Sequence, residues 1–318
     1  MALLEKCAQT QGPQKNIIVC DAAGVRGLFA LEIYAFIAKH HSKPLTELVS
    51  LCAGASSGAM VSTLVSLGFL DETSESYTDV KKFYHLLPHF FEERTNQFLK
   101  KPGYTGTGKR RVLEMMLKDK RMRDVKIPLL ILSSTVSGES IEWKSWDPRH
   151  KDLLLVDLVD ASSAIPTMFP PVYVPGTGEI GVDGGVRGCS GIFPALLSVL
   201  ELFPGQMQCQ IRMLSIGVMY TDEKRITVKD IPNMGLLRCI ALKIVQAILG
   251  TYDRTPQRVM SALLGDRFLR VACESKNVRI DDTSERVQNG LKEAAASVWA
   301  KQGDHILKFL GTDEAKRE

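Results

Sequence analysis

One serine in the N-terminal part of the chain has the neighbours that a nucleophile needs. Ser56 is the centre of a G-x-S-x-G pattern, with Gly54 before it and Gly58 after it. An apolar run typical of a buried strand reaches Gly54, and a helix-like run starts just after Gly58. A sharp strand-to-helix turn lifts its central side chain clear of the sheet, and the helix N-terminus stabilises a developing negative charge. The spacing therefore predicts a serine nucleophile at position 56.

Strand-like and helix-like runs alternate on both sides of this turn. A buried strand is predicted at residues 17–21, a loop at 22–27 and a helix at 28–40. Further strands are predicted at 127–136, 140–146, 211–218 and 268–271, and further helices at 153–164, 195–202, 236–249, 256–264 and 283–310. This alternation predicts an α/β fold whose functional residues lie at the carboxyl ends of the strands.

The composition is that of a globular chain with a large core. The 318 residues are 45% hydrophobic and 24% charged, and a net charge of +4 without a long basic block argues against a nucleic-acid binder. The seven cysteines are scattered and form no C-x-x-C pair, so a zinc site is not expected. The first 16 residues lack the apolar core of a signal peptide, and no apolar run reaches 18 residues. We expect a cytoplasmic protein, with peripheral membrane attachment as the alternative.

Two glycine-rich segments look like nucleotide sites but lack the required context. Residues 103–109 match G-x-x-x-x-G-K, yet Arg110 replaces the Ser or Thr that would bind magnesium, and no buried strand precedes the segment. Residues 176–181 match G-x-G-x-x-G but lead into a strand-like run instead of a helix. Nucleotide binding is therefore not predicted at either segment.

Residues 79–101 are rich in aromatic side chains and carry lysines near both ends. One interpretation is an amphipathic core helix that is broken at Pro88. The other is a lid or interfacial surface whose aromatic rings enter lipid while the lysines meet the headgroups. The residues leave both interpretations open.

Four segments, taken in order, resemble the patatin-like phospholipase family of acyl hydrolases. These are D-A-A-G-V-R-G at 21–27, G-A-S-S-G at 54–58, S-S-A-I-P-T-M-F-P-P at 162–171 and D-G-G at 183–185. The resemblance spans about residues 17–200 and implies a three-layer α/β fold, with a central, mostly parallel sheet flanked by helices. We expect a polar leader at 1–16, a catalytic core at 17–200, and strands and helices at 201–318 packed on the same domain.

The resemblance also implies roles for individual residues. Ser56 is the nucleophile and Asp183 its base, without a catalytic histidine. Backbone N–H groups of Ala23 and Gly24 form the oxyanion hole, and Arg26 either braces that loop or approaches a substrate phosphate. The remaining motif glycines are Gly27, Gly54, Gly58, Gly184 and Gly185.

The loop at 21–27 departs from the family pattern, because alanines stand where the family has its first two glycines. Ala22 and Ala23 keep their N–H groups, but a Cβ disfavours positive φ and occupies space near a substrate oxygen. The loop can still work if both residues adopt negative φ.

The function implied is hydrolysis of acyl esters in phospholipids or related lipids through a Ser56 acyl-enzyme, with transient contact to a membrane surface. One alternative is a protein of this fold that binds lipid with little or no turnover. A mechanistic alternative is a triad, because Ser56, Asp183 and His305 follow the chain order of α/β hydrolases. His305, however, lies in an apparent amphipathic terminal helix.

Overall fold

A mixed β-sheet runs through the centre of the computed structural model, which describes residues 14–71, 85–95, 101–186, 188, 190–204, 210–220, 254–275 and 278–311. Its strands are β1 (Lys15–Cys20), β2 (Leu51–Ala55), β3 (Leu129–Thr135), β4 (Ser140–Lys144), β5 (Val172–Tyr173), β6 (Ile180–Asp183), β7 (Ile211–Tyr220) and β8 (Phe268–Ser275). The strands follow the order β5-β6-β3-β2-β1-β7-β8, and β4 pairs with β3.

The strands from β3 through β2, β1 and β7 to β8 run parallel, whereas β4, β5 and β6 add antiparallel pairs at one side. Residues 17–20 and 51–55 of the two central strands are all buried. A parallel strand covered on both faces needs apolar side chains in both directions, which explains the continuous apolar runs. The register pairs Cys20 with Gly54, so the loops after β1 and β2 leave the sheet side by side.

Helices cover both faces of the sheet. They are α1 (Gly27–His40), α2 (Leu45–Leu48), α3 (Ser57–Ser66), α4 (Thr107–Leu117), α5 (Leu155–Ser162), α6 (Ile192–Leu202), α7 (Thr255–Leu264) and α8 (Glu285–Leu310). The core on one face includes Phe29 of α1 and Leu64 of α3, and the core on the other includes Ile192 of α6 and Met260 of α7. The predicted three-layer α/β fold is confirmed.

Residues 85–90 form a further helical stretch that includes Pro88. The prediction of a break at Pro88 is therefore wrong for the described residues, since the helical stretch continues past Pro88 to Phe90. The predicted helix at 236–249 and most of the predicted leader lie outside the described residues. Within the described ranges, no helix combines the length and apolar character that crossing a bilayer requires.

The sheet register determines which loop residues meet. Ala55 of β2 pairs with Leu132 of β3, and Asp183 of β6 pairs with Ser133 on the other side of β3. Ser56 and Asp183 therefore lie at the same level of the sheet, with β3 between them. Since neighbouring strands are about 4.8 Å apart, their backbones are roughly 10 Å apart, and two facing side chains can span that gap.

Candidate active site

Ser56 occupies the turn between β2 and α3. Its φ of 55° and ψ of −127° are a conformation that residues other than glycine rarely adopt. A Cβ on Gly54 would lie 2.4 Å from the carbonyl carbon of Gly58, and a Cβ on Gly58 would lie 2.4 Å from the carbonyl oxygen of Cys20. Both glycines are thus required for backbone to pack on backbone, and the turn formed in this way presents the Ser56 side chain.

Asp183 ends β6 as a buried carboxylate, with 5% of its surface exposed. Its Oδ1 accepts a hydrogen bond from the Gly185 N–H at 2.7 Å. Its Oδ2 is buried and, within the described part of the chain, has no hydrogen-bond partner of normal geometry. Burial raises the pKa of Asp183 to about 6, while the Ser56 hydroxyl, the Gly185 N–H and the charge of Lys109 act to lower it. Serine and carboxylate are thus neighbours, and Oδ2 is available to accept a proton.

Three consecutive residues, Ser162, Ser163 and Ala164, hold the parts of this site together; we call them the 162–164 tripeptide. Ser162 Oγ accepts a hydrogen bond from the Ser56 N–H at 2.9 Å and donates one to the Leu132 carbonyl at 2.6 Å. The Asp183 N–H donates to the Ala164 carbonyl at 3.0 Å. These contacts position the nucleophile and the carboxylate from one segment. No role for this tripeptide was predicted, although its S-x-A-x-P pattern was the available signal.

The position of the Lys109 side chain was also not predicted from the sequence. It belongs to α4, is 2% exposed, and its Nζ lies 2.8 Å from the Asp160 carbonyl oxygen and 2.9 Å from Asp160 Oδ1. Nζ also donates to Ser163 Oγ at 3.3 Å and lies 4.5 Å from the centre of the Phe169 ring. Burial lowers the pKa of Lys109, and the charges of Asp160 and Asp183 oppose that effect. The lysine of the G-x-x-x-x-G-K pattern thus points into the protein.

In the loop after β1, the two alanines and Gly24 have different backbone conformations. Ala23 has a φ of −147°, and Ala22 also has a negative φ. Gly24 has a φ of 58°, and a Cβ there would lie 2.1 Å from Ile280 Cγ1. The glycine is therefore retained at the one position of the three where a side chain would be both strained and obstructed.

The two N–H groups predicted for the oxyanion hole differ in their partners. The Ala23 N–H donates to Ser57 Oγ at 3.1 Å, so it is already engaged. The Gly24 N–H forms no hydrogen bond with another residue of the described ranges, and Gly24 lines the cavity next to Ser56. The first N–H groups of α3 lie at the same place and lack partners inside their own helix. The Gly24 N–H and the start of α3 therefore both lie next to Ser56.

Arg26 and the other motif glycines lie around this loop. Arg26 is 1% exposed and is not part of the lining of the Ser56 cavity. Burial raises the pKa of the Cys273 thiol to about 12, and the charge of Arg26 opposes that rise. Its position matches bracing of the loop better than contact with a substrate phosphate. A Cβ on Gly27 would lie 2.6 Å from Ser57 Cβ, and one on Gly184 would lie 2.4 Å from the Leu132 carbonyl oxygen.

Ser56 lines a small, partly open apolar cavity of about 40 Å³. Leu87, Phe90 and Phe91 form one wall of this cavity; we call these three residues the cover. Leu87 and Phe90 are at the same time buried members of the main core. The two interpretations of this segment thus coincide in part, since the same side chains complete the core and close the access to Ser56, which is 3% exposed.

His305 lies on α8, where its side chain is exposed, and it does not line the Ser56 cavity. This position does not favour the Ser56, Asp183 and His305 triad. Across the ranges that the structure describes, no group of three or more histidine, cysteine, aspartate or glutamate side chains is placed to hold a metal ion.

Comparisons with known proteins agree with the resemblance seen in the motifs. The model of the patatin-like phospholipase family matches residues 18–196. Patatin-like protein 2 from Oryza sativa subsp. indica is 21% identical over 324 residues, covering 86% of this chain and 78% of that protein. The cGAMP-activated phospholipase from Escherichia coli (strain TW11681) is 25% identical over 214 residues, covering 60% of this chain and 56% of that protein.

Among solved structures, the crystal structure of VipD from Legionella pneumophila matches with a TM-score of 0.43 and 13% identity, covering 91% of this chain and 67% of that one. The family match extends over more than half of the sequence and includes all four motifs. The chain therefore belongs to the patatin-like phospholipase family, which at the level of the family supports a lipid acyl hydrolase.

Proposed function

We propose that this chain is a serine hydrolase that cleaves the acyl esters of phospholipids or other lipid esters, with Ser56 as nucleophile and Asp183 as general base. One observation carries the proposal: a buried carboxylate, one oxygen of which has no hydrogen-bond partner of normal geometry among the described residues, lies next to a serine on a strained strand-to-helix turn. A carboxyl of ordinary pKa is a weak acceptor for a hydroxyl proton, and burial makes this one more basic.

In the first half of the reaction, Ser56 Oγ attacks the ester carbonyl carbon while its proton passes to Asp183 Oδ2. The carbonyl oxygen becomes an oxyanion, and we assign its stabilisation to the Gly24 N–H and the N-terminal N–H groups of α3. Collapse of this intermediate breaks the bond to the alcohol, which leaves with the proton from Asp183. The fatty acyl group remains on Ser56.

In the second half, a water molecule attacks the acyl carbon and gives a proton to Asp183. The second tetrahedral intermediate then releases the fatty acid, and Ser56 recovers its proton from Asp183. Each half returns the carboxylate to its ionised state, so the cycle needs no metal or organic cofactor.

The walls of the cavity fit an acyl chain better than a charged group, since the cover and Phe169 supply apolar surface next to Ser56. A cavity of about 40 Å³ does not hold a fatty acyl chain, so we infer that the cover moves when substrate enters. Contact between this apolar segment and a lipid surface would favour that movement, which supports transient binding at a membrane surface.

The test combines a covalent probe with a lipid assay. A fluorophosphonate should label the wild-type protein and spare Ser56→Ala, and fatty acid release from phosphatidylcholine vesicles, measured by mass spectrometry, should be lost in Ser56→Ala and Asp183→Asn. His305→Ala serves as the control and should retain both activities.

Two results would contradict the proposal. A folded wild-type protein that is neither labelled nor active, yet binds the vesicles, would identify a lipid-binding protein without turnover. Loss of activity in His305→Ala to the level of Ser56→Ala would replace the dyad by a triad.

A further inference from the structure

A buried lysine stands beside the proposed dyad without a part in the steps above. Lys109 is 2% exposed, and a lysine is almost never fully buried unless it is paired. Its Nζ is held by the Asp160 carboxylate, the Asp160 carbonyl and Ser163 Oγ, with the Phe169 ring at 4.5 Å. The ammonium group therefore has one defined position.

This position is part of the candidate active site. Lys109 and Ser56 line the same cavity. Ser163, which binds Nζ, is the middle residue of the 162–164 tripeptide, whose other two members bind the backbone of Ser56 and Asp183. The position of the ammonium group is thus tied to the nucleophile and to its base through adjacent peptide units.

The charged groups around Lys109 are few and can be named. Asp160 on α5 is its ion-pair partner, the charge of Asp183 on β6 acts on it, and Arg110 is its neighbour on α4. Arg110 pairs with Asp157 at 2.5 Å and with Glu114 at 2.8 Å, and lies 3.6 Å from Asp160 Oδ2. Of the two cations, Lys109 is the one whose charge acts on Asp183.

We propose that Lys109 is a positioning residue of the ester-cleaving reaction, whose buried ammonium keeps the Asp183 carboxyl ionised while the 162–164 tripeptide holds both beside Ser56. The inference rests on the proposed function, because it gives Lys109 a role through the general base. A carboxyl in an apolar cavity without a nearby cation would hold its proton near neutral pH and could not accept one from serine.

The sign of the effect follows from the charge. A nearby positive charge favours the ionised carboxyl, so neutralising Lys109 raises the pKa of Asp183 above its value of about 6 in the wild type. The charge of Lys109 is the weakest of the three influences that lower this pKa, so a tenfold change in the acid dissociation constant, the low end for a nearby opposite charge, is an upper bound. The ionised fraction at pH 6 then falls from about one half to no less than about one tenth. The expected loss of kcat/KM at pH 6 is at most roughly fivefold, and it disappears at pH 9.

The experiment compares two neutral variants, Lys109→Met and Lys109→Gln, with Lys109→Arg, which keeps the charge. Arg110→Gln is the matched control, because it removes a cation from the same ion-pair cluster that does not act on Asp183. The pH profile of kcat/KM on a soluble ester should have its acid limb at higher pH in both neutral variants, and the limb should stay in place in the arginine variant and the control.

A second readout does not depend on turnover. The carbon-13 carboxyl resonance of Asp183, assigned by its loss in Asp183→Asn, should titrate at higher pH in the neutral variants. A wild type without ester hydrolysis would contradict the proposed function, whereas an unchanged Asp183 titration would contradict the role of Lys109.

Three outcomes would overturn the proposal. They are an equal loss of activity at every pH, a limb that moves as far in Arg110→Gln, and failure of both neutral variants to fold. Each would assign Lys109 to the stability of the fold.

Discussion

Asp183 gives a prediction about stability that can be tested without any substrate. Its carboxyl is buried in the folded protein and has a pKa of about 6 there, against an ordinary value of 3.8. The folded state therefore holds this proton over a pH range in which the unfolded chain has lost it. Asp183→Asn removes the ionisation and should make one component of the pH dependence of stability disappear.

The size of this component follows from the two pKa values. Well below pH 4 the carboxyl is protonated in both states, and the full stability contributed by the neutral form is present. As the pH rises to about 6, the unfolded state releases the proton first, so stability is lost until the folded carboxyl ionises as well. A change of one in pKa corresponds to about 1.4 kcal/mol. Because the unfolded carboxyl is already more than half ionised at pH 4, the loss between pH 4 and pH 7 is about 2 kcal/mol.

Chemical denaturation of the wild type and of Asp183→Asn, followed by tryptophan fluorescence at a series of pH values, measures this directly. The free energy of unfolding of the wild type minus that of the variant should fall by about 2 kcal/mol from pH 4 to pH 7. All other titrating groups are common to both proteins and cancel, as does any constant cost of burying an amide. A difference that stays level across this range would refute the assignment of Asp183 as a buried carboxyl of raised pKa.

Four further substitutions test the surroundings of Ser56. Ser162→Ala removes the hydrogen bonds to the Ser56 N–H and the Leu132 carbonyl, and should lower the fluorophosphonate labelling rate roughly tenfold and stability by about 1–3 kcal/mol; full labelling would contradict this role. Gly24→Ala should lower the free energy of unfolding by about 1–3 kcal/mol and remove most of the activity. Ala23→Gly should leave the free energy of unfolding within about 1 kcal/mol of the wild-type value. Equal effects of the two substitutions would contradict the special role of Gly24. Phe90→Ala should raise the hydrolysis rate of a short soluble ester while lowering the melting temperature. A lower hydrolysis rate would contradict the inference that the cover restricts access to Ser56.

The sequence was a good guide wherever local spacing decides the structure. The apolar runs at 17–20 and 51–54 predicted the two central parallel strands, because a strand buried on both faces admits few polar residues. The G-x-S-x-G spacing predicted the turn at Ser56, because both glycines are needed where backbone meets backbone. Asp183 could be named only through the order of motifs that resembles the family, since an aspartate before two glycines is also a common turn.

The remaining features depend on contacts between distant segments, which spacing does not encode. Lys109 stands in a polar, glycine-rich segment, and only the packing of α4 against α5 turns its side chain toward Asp160. The Ala23 N–H is engaged because Ser57 lies opposite it, 34 positions later in the chain. The cover lies over Ser56 because residues 85–91 pack on the same core as α3. None of these pairings leaves a periodic pattern in the sequence.

The 162–164 tripeptide has a consequence for protein engineering. Because adjacent peptide units hold the nucleophile, the base and the buried cation, these three cannot be moved apart one at a time, and a mutation that displaces α5 disturbs all of them at once. The opposite wall, formed by Leu87, Phe90 and Phe91, carries none of these hydrogen bonds. Mutagenesis aimed at acyl-chain-length selectivity should therefore vary the residues of the cover and leave the 162–164 tripeptide unchanged.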